Sequence, residues 1–600
     1  MNTMTDTQLL KLPAPAARYG TLAGALIAFA GTFLSWTYTE EFPGNLTVNG
    51  YPGGLQLITL TGALLTALLA LAALGTPGLR WLTPGGPHSA VRLMALGTLT
   101  ATLYTVIAIA VELDGLIALD PGAWISLVGS LVAVAAAFGL PDDTPYDPQP
   151  GDTALARLTH TLKAPAPRAP SRTLPAWADI LLIAVAFGLA LYVFTYGIDI
   201  DSANSELFIG YLILVALGAL SLARAGLFRR LAGLTARHRS VSLAAMFVAA
   251  ICFPFTQDND TYALIGTNIL IFATVALGLN VVVGLAGLLD LGYVAFLGVG
   301  AYTAALVSGS PQSSIGVHFP FPLAVLTGAA VSLIFGVVIG APTLRLRGDY
   351  LAIVTLGFGE IFRITMNNLN GNSGPDLVNG SQGVPNIPDL ELFGFKFGEA
   401  HDVLGLPLGR SGNYFLLMLL FTAIVLLVFH RSGQSRIGRA WVAIREDETA
   451  ASAMGINGFR LKLLAFALGA TLAGLAGTVQ AHVNYSVTPE QYQFAGTAPP
   501  NSAFLIAAVI LGGMGTITGP LIGAALLFLI PEKLEFMQKY QLLLFGLALI
   551  LLMRLRPEGI VPDRRKQLEF HENDQLAVPE QRLTGENAPE AATGVTKAGA

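Results

Sequence analysis

Stretches of about 20 apolar residues recur along this chain, each long enough for an α-helix to cross roughly 30 Å of hydrocarbon. They lie near Gly20 to Tyr38, Leu55 to Leu74, Val91 to Val111 and Gly122 to Leu140, then near Ala176 to Gly197, Glu206 to Ala223 and Ser240 to Phe255. A third group, denser in glycine, fills Tyr262 to Arg554. In hydrocarbon every backbone amide and carbonyl must find its partner inside the protein, so repeated apolar runs commit the chain to helices. Of the 600 residues 53% are hydrophobic and 12% charged, with a mean hydropathy of +0.63. Too little polar surface exists to wrap a soluble globule. The expected fold is all-α, a polytopic transmembrane bundle whose solvent is the lipid bilayer.

The run that follows Lys11 and Arg18 superficially resembles a signal peptide, but no convincing small-residue cleavage site follows and further spans come at once. It is expected to be retained as the first helix. Lysine and arginine near span ends mark the cytoplasmic side. Acidic loops without basic residues (Glu40 and Glu41; Glu112, Asp114 and Asp120; Asp199, Asp201 and Glu206; Asp258 and Asp260) alternate with basic ones. The basic set is Arg80 and Arg92; Arg157, Lys163, Arg168 and Arg172; Arg224, Arg229, Arg230, Arg237 and Arg239. The acidic loops are expected outside and the basic ones inside, together with the N-terminus. Arg345 and Arg347 then fall inside, the polar stretch Asn367 to Gly412 outside, and His430 to Lys462 inside. Arg554, Arg556, Arg564, Arg565 and Lys566 put the C-terminus inside as well.

That parity constrains Phe504 to Pro531, which would spoil it by crossing once. A re-entrant pair of half-helices is expected there, turning at Gly512, Gly513 and Gly515, with freed backbone groups satisfied by protein or by a wet path. About 14 true crossings result. The chain divides into an N-terminal four-helix extension (1–140), a proline-rich cytoplasmic linker (141–175), three additional helices (176–256), a glycine-rich core (257–565) and a tail (566–600) whose composition predicts disorder.

Enzymatic chemistry finds no foothold. No lysine follows a glycine, so there is no P-loop, and HExxH, paired cysteines and a nucleophile elbow are missing. The chain is expected to bind no metal and no cofactor. A net charge of −5 without a basic stripe gives no surface for nucleic acid. The single cysteine, Cys252, is read as a packing residue.

Three segments draw attention instead. Gly284 to Tyr302 places Gly284, Gly287, Gly292, Gly298 and Gly300 along an intramembrane helix, where small residues let another helix approach. Alternatively that face, beside Tyr293, Phe296 and Tyr302, lines a path for one small solute. Asp290 favours the second view if it sits at membrane depth, because a carboxylate there needs a wet cavity or a partner. In Arg345 to Arg363, Glu360 and Arg363 share a helix face at three residues' spacing, either as an internal ion pair or as contacts for the ends of a zwitterion. The cytoplasmic block Arg431 to Gly455 carries a short helix, Glu446 to Met454, with acids at its start and a glycine stop.

Four stretches, LLDLGYVAFLGVGAYTAAL from Leu288, GDYLAIVTLGFGEIFRI from Gly348, GRAWVAIREDETAASAMGI from Gly438 and AAVILGGMGTITGPLIGAALL from Ala507, together resemble the LivM-type permeases of branched-chain amino acid ABC importers. The resemblance covers about Tyr262 to Arg565. It implies a sister permease subunit, two cytoplasmic ATPases that use ATP and Mg²⁺, and an extracytoplasmic amino acid-binding protein. It also implies an ATPase-coupling loop of the Glu-Ala-Ala…Gly type. Glu446, Glu448, Ala450, Ala451 and Gly455 resemble that pattern, with Thr449 interposed between acid and alanines. Two other readings stay open: a permease of the same superfamily for urea or short amides, and an autonomous secondary transporter, which needs more buried carboxylates than Asp290 and Glu360.

Overall fold

The computed structural model describes residues 12–37, 54–76, 79, 81–113, 115–143, 175–257, 259–346, 349–372, 374–403, 405–496, 501–534, 540–555 and 558–561. Most of the proline-rich linker, all of the tail, and the topology markers Lys11, Glu40, Glu41, Arg80, Asp114, Arg157, Lys163, Arg168, Arg172, Asp258, Arg347, Arg556, Arg564, Arg565 and Lys566 lie outside the described residues.

The chain is a helical, multi-pass membrane protein. The N-terminal helices are α1 (Ala14–Gly31), α2 (Leu55–Ala73), α3 (His88–Glu112), α4 (Pro121–Ala137), α5 (Ala176–Asp199), α6 (Ser205–Arg224), α7 (Leu227–Arg237) and α8 (Arg239–Cys252). The core contains α9 (Asp260–Asn280), α10 (Val294–Val307), α11 (Phe321–Thr343), α12 (Asp349–Asn368), α13 (Arg410–Gln434), α14 (Arg436–Glu446), α15 (Glu448–Ala453), α16 (Gly458–Val483), α17 (Ser502–Gly512), α18 (Thr518–Lys533) and α19 (Gln541–Leu555). Among the described residues nine helices are long and apolar enough to cross a membrane; α4, α10 and α17 are shorter apolar helices.

Small residues set the closest approach in the extension. On α1 and α4, Gly24 faces the backbone of Ala133 and Gly129 faces that of Ala28, so neither position has room for a Cβ. Ser126 donates to the Ala28 carbonyl across the same seam at 3.1 Å. In hydrocarbon, where burial gives no bias toward helix association, such contact is what holds helices together. Arg92, read from sequence as a loop charge, is buried: its guanidinium donates to the Ala137 and Leu140 carbonyls and pairs with Asp142, closing the end of α4.

Helices α5 and α8 pack on each other but bury little of their apolar surface. Cys252 therefore corrects the sequence expectation: it lies exposed on α8. An apolar run in a span is as readily a lipid-facing surface as a protein core. The additional helices of 176–256 join the core through Ile198, Phe208, Phe253, Ile265, Phe415 and Leu529. There the buried Lys533 ammonium donates to the Ile200 carbonyl at 2.6 Å and lies 4.7 Å from the centre of the Tyr262 ring.

In the core, α9 is flanked by α13, α16, α17 and α18, while α16 packs on both α10 and α11. Helix α12 sits at the periphery, touching α10, α11 and a turn at Pro489–Tyr492. The polar stretch before α13 holds two short antiparallel hairpins, β1 (Glu391–Leu392) with β2 (Phe395–Lys396) and β3 (His401–Val403) with β4 (Leu406–Leu408). The all-helical expectation did not include them. Arg410 anchors this region: it bonds Asp389 at 2.9 Å, donates to the His482 and Val483 carbonyls that end α16, and stacks 3.6 Å from the Tyr485 ring centre.

Candidate functional site

The glycine-rich segment Gly284 to Tyr302 is not one helix. Helix α9 continues as a π-helical turn, Val281–Leu285, and regular structure stops until Val294. Gly287 adopts φ +70°, where a Cβ would also meet the Arg445 side chain, and a Cβ on Gly292 would overlap the Thr355 carbonyl of α12. These contacts need a broken, Cβ-free backbone, which explains why the expected continuous helix does not form. The fully buried Asp290 sits in the break. Its Oδ1 accepts from the Gly292 amide at 3.0 Å, the Leu291 amide donates to Thr355 Oγ1 at 3.0 Å, and Asp290 Oδ2 has no hydrogen-bond partner among the described residues.

Beyond the break the aromatic candidates are packed side by side. Tyr293 donates to the Gly469 carbonyl of α16 at 2.6 Å, and Phe296 meets Phe358 and Phe466. Tyr302 and Gly298 meet Phe362 and Tyr492. All three aromatic rings are buried. The apolar groove of about 660 Å³ between α11 and α12 is lined instead by residues such as Val338, Val354, Phe358, Ile361 and Phe362.

Glu360 and Arg363 do share a face of α12 and are paired. Arg363 Nε donates to Glu360 Oε1 at 3.0 Å and Nη2 reaches the same oxygen. Nη1 donates to Glu490 Oε1 at 3.1 Å. One guanidinium thus serves two carboxylates, leaving the cluster one negative charge in excess, with Glu490 60% exposed. Glu490 lies 127 residues from Arg363, and the sequence carried no sign of it.

Helix α17 ends at Gly512 and α18 starts at Thr518, so the turn between them runs through Gly513 and Gly515. Gly513 has φ +122° and Gly515 φ +79°. Eleven residues of α17 reach only about 16 Å, and α17 begins within the core: the Val294 amide at the start of α10 donates to Ser502 Oγ at 3.1 Å. The tip of the turn therefore arrives beside Arg445, His430 and Gly433, around a cavity of about 170 Å³. Asn280, fully buried at the end of α9, fastens it. Its Nδ2 donates to the Thr516 carbonyl at 2.7 Å and its Oδ1 accepts from the Gly515 amide at 2.8 Å. An asparagine in an apolar run is a signal that sequence reading could have used.

At this same end, α13 gives way to a platform. Ser435 caps α14 by accepting from the Gly438 amide, and Gly438 lies so close to the Ser432 carbonyl that no Cβ fits. Trp441 is buried and donates to the Leu461 carbonyl at 2.7 Å. The expected single helix from Glu446 to Met454 is divided: Glu446 closes α14, Asp447 is extended (φ −153°), and α15 starts at Glu448. Asp447 is the reason, because its Oδ1 accepts from the Thr449 and Ala450 amides at 2.7 and 3.0 Å, an N-cap that requires non-helical backbone.

Ala451 is buried and Glu448 pairs with Lys462 at 2.7 Å. Gly455 (φ +84°) ends α15, with the Gly455 and Ile456 amides donating to the Ser452 and Ala451 carbonyls. Met454, overlooked in the sequence, stands 84% exposed at the tip. Arg445 ties the platform to the core: Nη1 donates to the Gly284 carbonyl in the π-turn at 2.7 Å, and its other nitrogens hold Glu446.

The family described as "Branched-chain amino acid transport system / permease component" matches residues 262–553. The high-affinity branched-chain amino acid transport system permease protein LivM of Escherichia coli K12 is 40% identical over 340 residues, 55% of this chain and 76% of the relative. The corresponding BraD protein of Pseudomonas aeruginosa is 28% identical over 302 residues, 48% of this chain and 91% of the relative. The ribose import permease protein RbsC of E. coli K12 is 28% identical over 323 residues, covering 52% and 88%. No solved structure matches the chain.

Proposed function

The chain belongs to the branched-chain amino acid transport system permease family, and from that premise we propose how it works as the membrane subunit of an ATP-binding cassette importer. It moves branched-chain amino acids across the cell's inner membrane. The proposed assembly adds a sister permease, two cytoplasmic ATPases and an extracytoplasmic binding protein; ATP and Mg²⁺ act on the ATPases, and this chain carries no catalytic residues, cofactor or metal. The proposed topology has about 14 crossings with both termini cytoplasmic, the α17–α18 hairpin entering and leaving from the outside. Under this scheme the division at 140, 175, 256 and 565 separates extension, linker, additional helices, permease core and tail.

The platform at α14–α15 carries the reading. A capped, glycine-stopped helix with an exposed methionine at its tip, standing at the arginine-bearing end, is a knob shaped for a cleft on another protein. In the proposed cycle Glu446, Glu448, Ala450, Ala451 and Gly455 belong to the ATPase-coupling loop, joined by Asp447 and Met454. Nucleotide-driven closure of the ATPases moves α15. Arg445 passes the displacement to the Gly284 carbonyl, and Asn280 passes it to the Gly513–Ile517 turn, so that the broken helices rock and access alternates.

In the same scheme the ionic face of α12, Glu360, Arg363 and Glu490, meets the zwitterionic solute. Asp290, Gly292, Tyr293, Phe296 and Tyr302 lie behind it and fix the position of α10 against α12 and α16. Uptake of labelled leucine, a polar amino acid, urea and ribose by the reconstituted complex tests the substrate class. Leucine uptake that requires ATP is the expected result, and preference for urea or ribose, or uptake without nucleotide, overturns the reading.

A further inference from the structure

We propose that residues 558–561, a strap that follows α19, position the turn between α17 and α18 and carry α19 with it as access alternates. The proposal rests on the permease cycle described above. An α-helix leaves its last four carbonyls without partners of its own, and α17 ends at the buried Gly512. Its four carbonyls can be followed one by one. Val509 accepts from the Gly513 amide at 3.0 Å. Leu511 accepts from the Ile560 amide at 2.8 Å and Gly512 from the Val561 amide at 2.9 Å. The Ile510 carbonyl lies against Gly559, where a Cβ would stand 2.9 Å from it. The end of α17 is thus closed by a segment that the chain reaches only after α18 and α19.

The local sequence suits this contact. Val561 precedes Pro562, which biases it toward extended backbone and keeps its amide out of any helix. Gly559, at φ +79°, packs directly on Gly513, at φ +122°. A Cβ on Gly559 would come 2.7 Å from the Gly513 Cα, and a Cβ on Gly513 would overlap the Val561 carbonyl. Two backbones therefore touch with no side chain between them, a closeness that glycine alone allows.

The turn is held from two directions. Asn280 of α9 fastens Gly515 and Thr516, and the strap fastens Leu511 and Gly512. Helix α19 packs on α17 but leaves Leu543, Leu547 and Ile550 exposed. Apolar burial gives such a helix no bias toward the bundle in hydrocarbon. Backbone hydrogen bonds in a water-poor site do, because breaking them strands a carbonyl without a partner. A displacement that reaches the turn through Asn280 is therefore passed on to α19 through Ile560 and Val561.

The test uses the full-length chain. Ile560→Pro with Val561→Pro removes both donors. Hydrogen exchange of the amides from 513 to 519 should quicken by about fivefold or more, and leucine uptake per ATP hydrolysed by the reconstituted complex should fall severalfold. Ile560→Ala with Val561→Ala keeps both amides and should stay within about twofold of the unaltered chain in exchange. Gly559→Ala keeps the amides but wedges the strap off Gly513, and should act in the direction of the proline pair; it decides alone, in the same terms, if that pair fails to insert. Exchange in the proline pair within about twofold of the unaltered chain overturns the strap. Quickened exchange with unchanged uptake per ATP overturns the positioning role. Absence of ATP-dependent uptake in the unaltered complex overturns the permease cycle instead, and with it the carrying of α19, while the exchange result still decides whether the strap holds the turn.

Discussion

Replacing Asn280 by alanine removes both bonds that seat the Gly513–Ile517 turn against α9. The Gly515 amide and the Thr516 carbonyl, at 2.8 and 2.7 Å from the side chain, lose their partner together. Interhelical hydrogen bonds in membrane proteins average about 0.6 kcal/mol and reach about 1.7, so the pair is worth between about 1 and about 3.5 kcal/mol. Local opening of the turn should then become roughly fivefold to 400-fold more frequent. Hydrogen exchange of the amides from 513 to 519, followed by mass spectrometry on the purified chain, reads that opening. Asn280→Asp should do no better than alanine, because it keeps the acceptor for Gly515 but turns a carboxylate toward the Thr516 carbonyl. Exchange within about twofold of the unaltered chain would refute the claim that Asn280 holds the turn. Leucine uptake should fall in step with the opening if the turn transmits motion from the platform.

Asp447→Ala should cost about 1 kcal/mol of cap stability. A six-residue helix has no nucleus to spare, so coupled uptake should fall severalfold with insertion intact, and Asp447→Ser should restore it. Glu360→Gln and Glu490→Gln should each raise the KM for uptake more than they lower the melting temperature; equal loss of uptake and assembly marks the cluster as structural. Asp143 lies beyond α4: burial raises its pKa, but bonds from the His88 ring and the Ser89 amide outweigh that and hold the carboxyl below its ordinary value. A depressed folded pKa contributes stability above the unfolded value, so the contact should be intact at pH 7 and lost as pH falls below about 4; Asp143→Asn should abolish that acid-dependent part of the melting curve.

Much of the bundle was legible because apolar length is a strong constraint in a bilayer, and α2, α3, α5 and α6 lie where hydropathy puts them. The helix break after Gly512 was legible too, through glycine content. What escaped was set by contacts between distant segments. The break at Gly287–Gly292 depends on Arg445 and on the Thr355 carbonyl, neither visible from a glycine-rich run. Glu490 joins Arg363 only because the turn at Pro489–Tyr492 packs on α12. Cys252 and Arg92 traded expectations, the cysteine outside and the arginine inside, because hydropathy reports membrane depth and not which face meets protein. Asp447 was readable as a cap, since an aspartate before Glu-Thr-Ala-Ala is a helix start signal.

The central claim is that α15 docks on a partner ATPase, and a crosslink tests it most directly. Met454→Cys in a Cys252→Ser background puts a single thiol at the exposed tip of the platform. In membranes that thiol should crosslink to a P-loop protein that copurifies with the chain, and a thiol moved to the opposite end of the bundle, at Phe393, should not. A chain that purifies without any P-loop partner, or that crosslinks to none from position 454, contradicts the account.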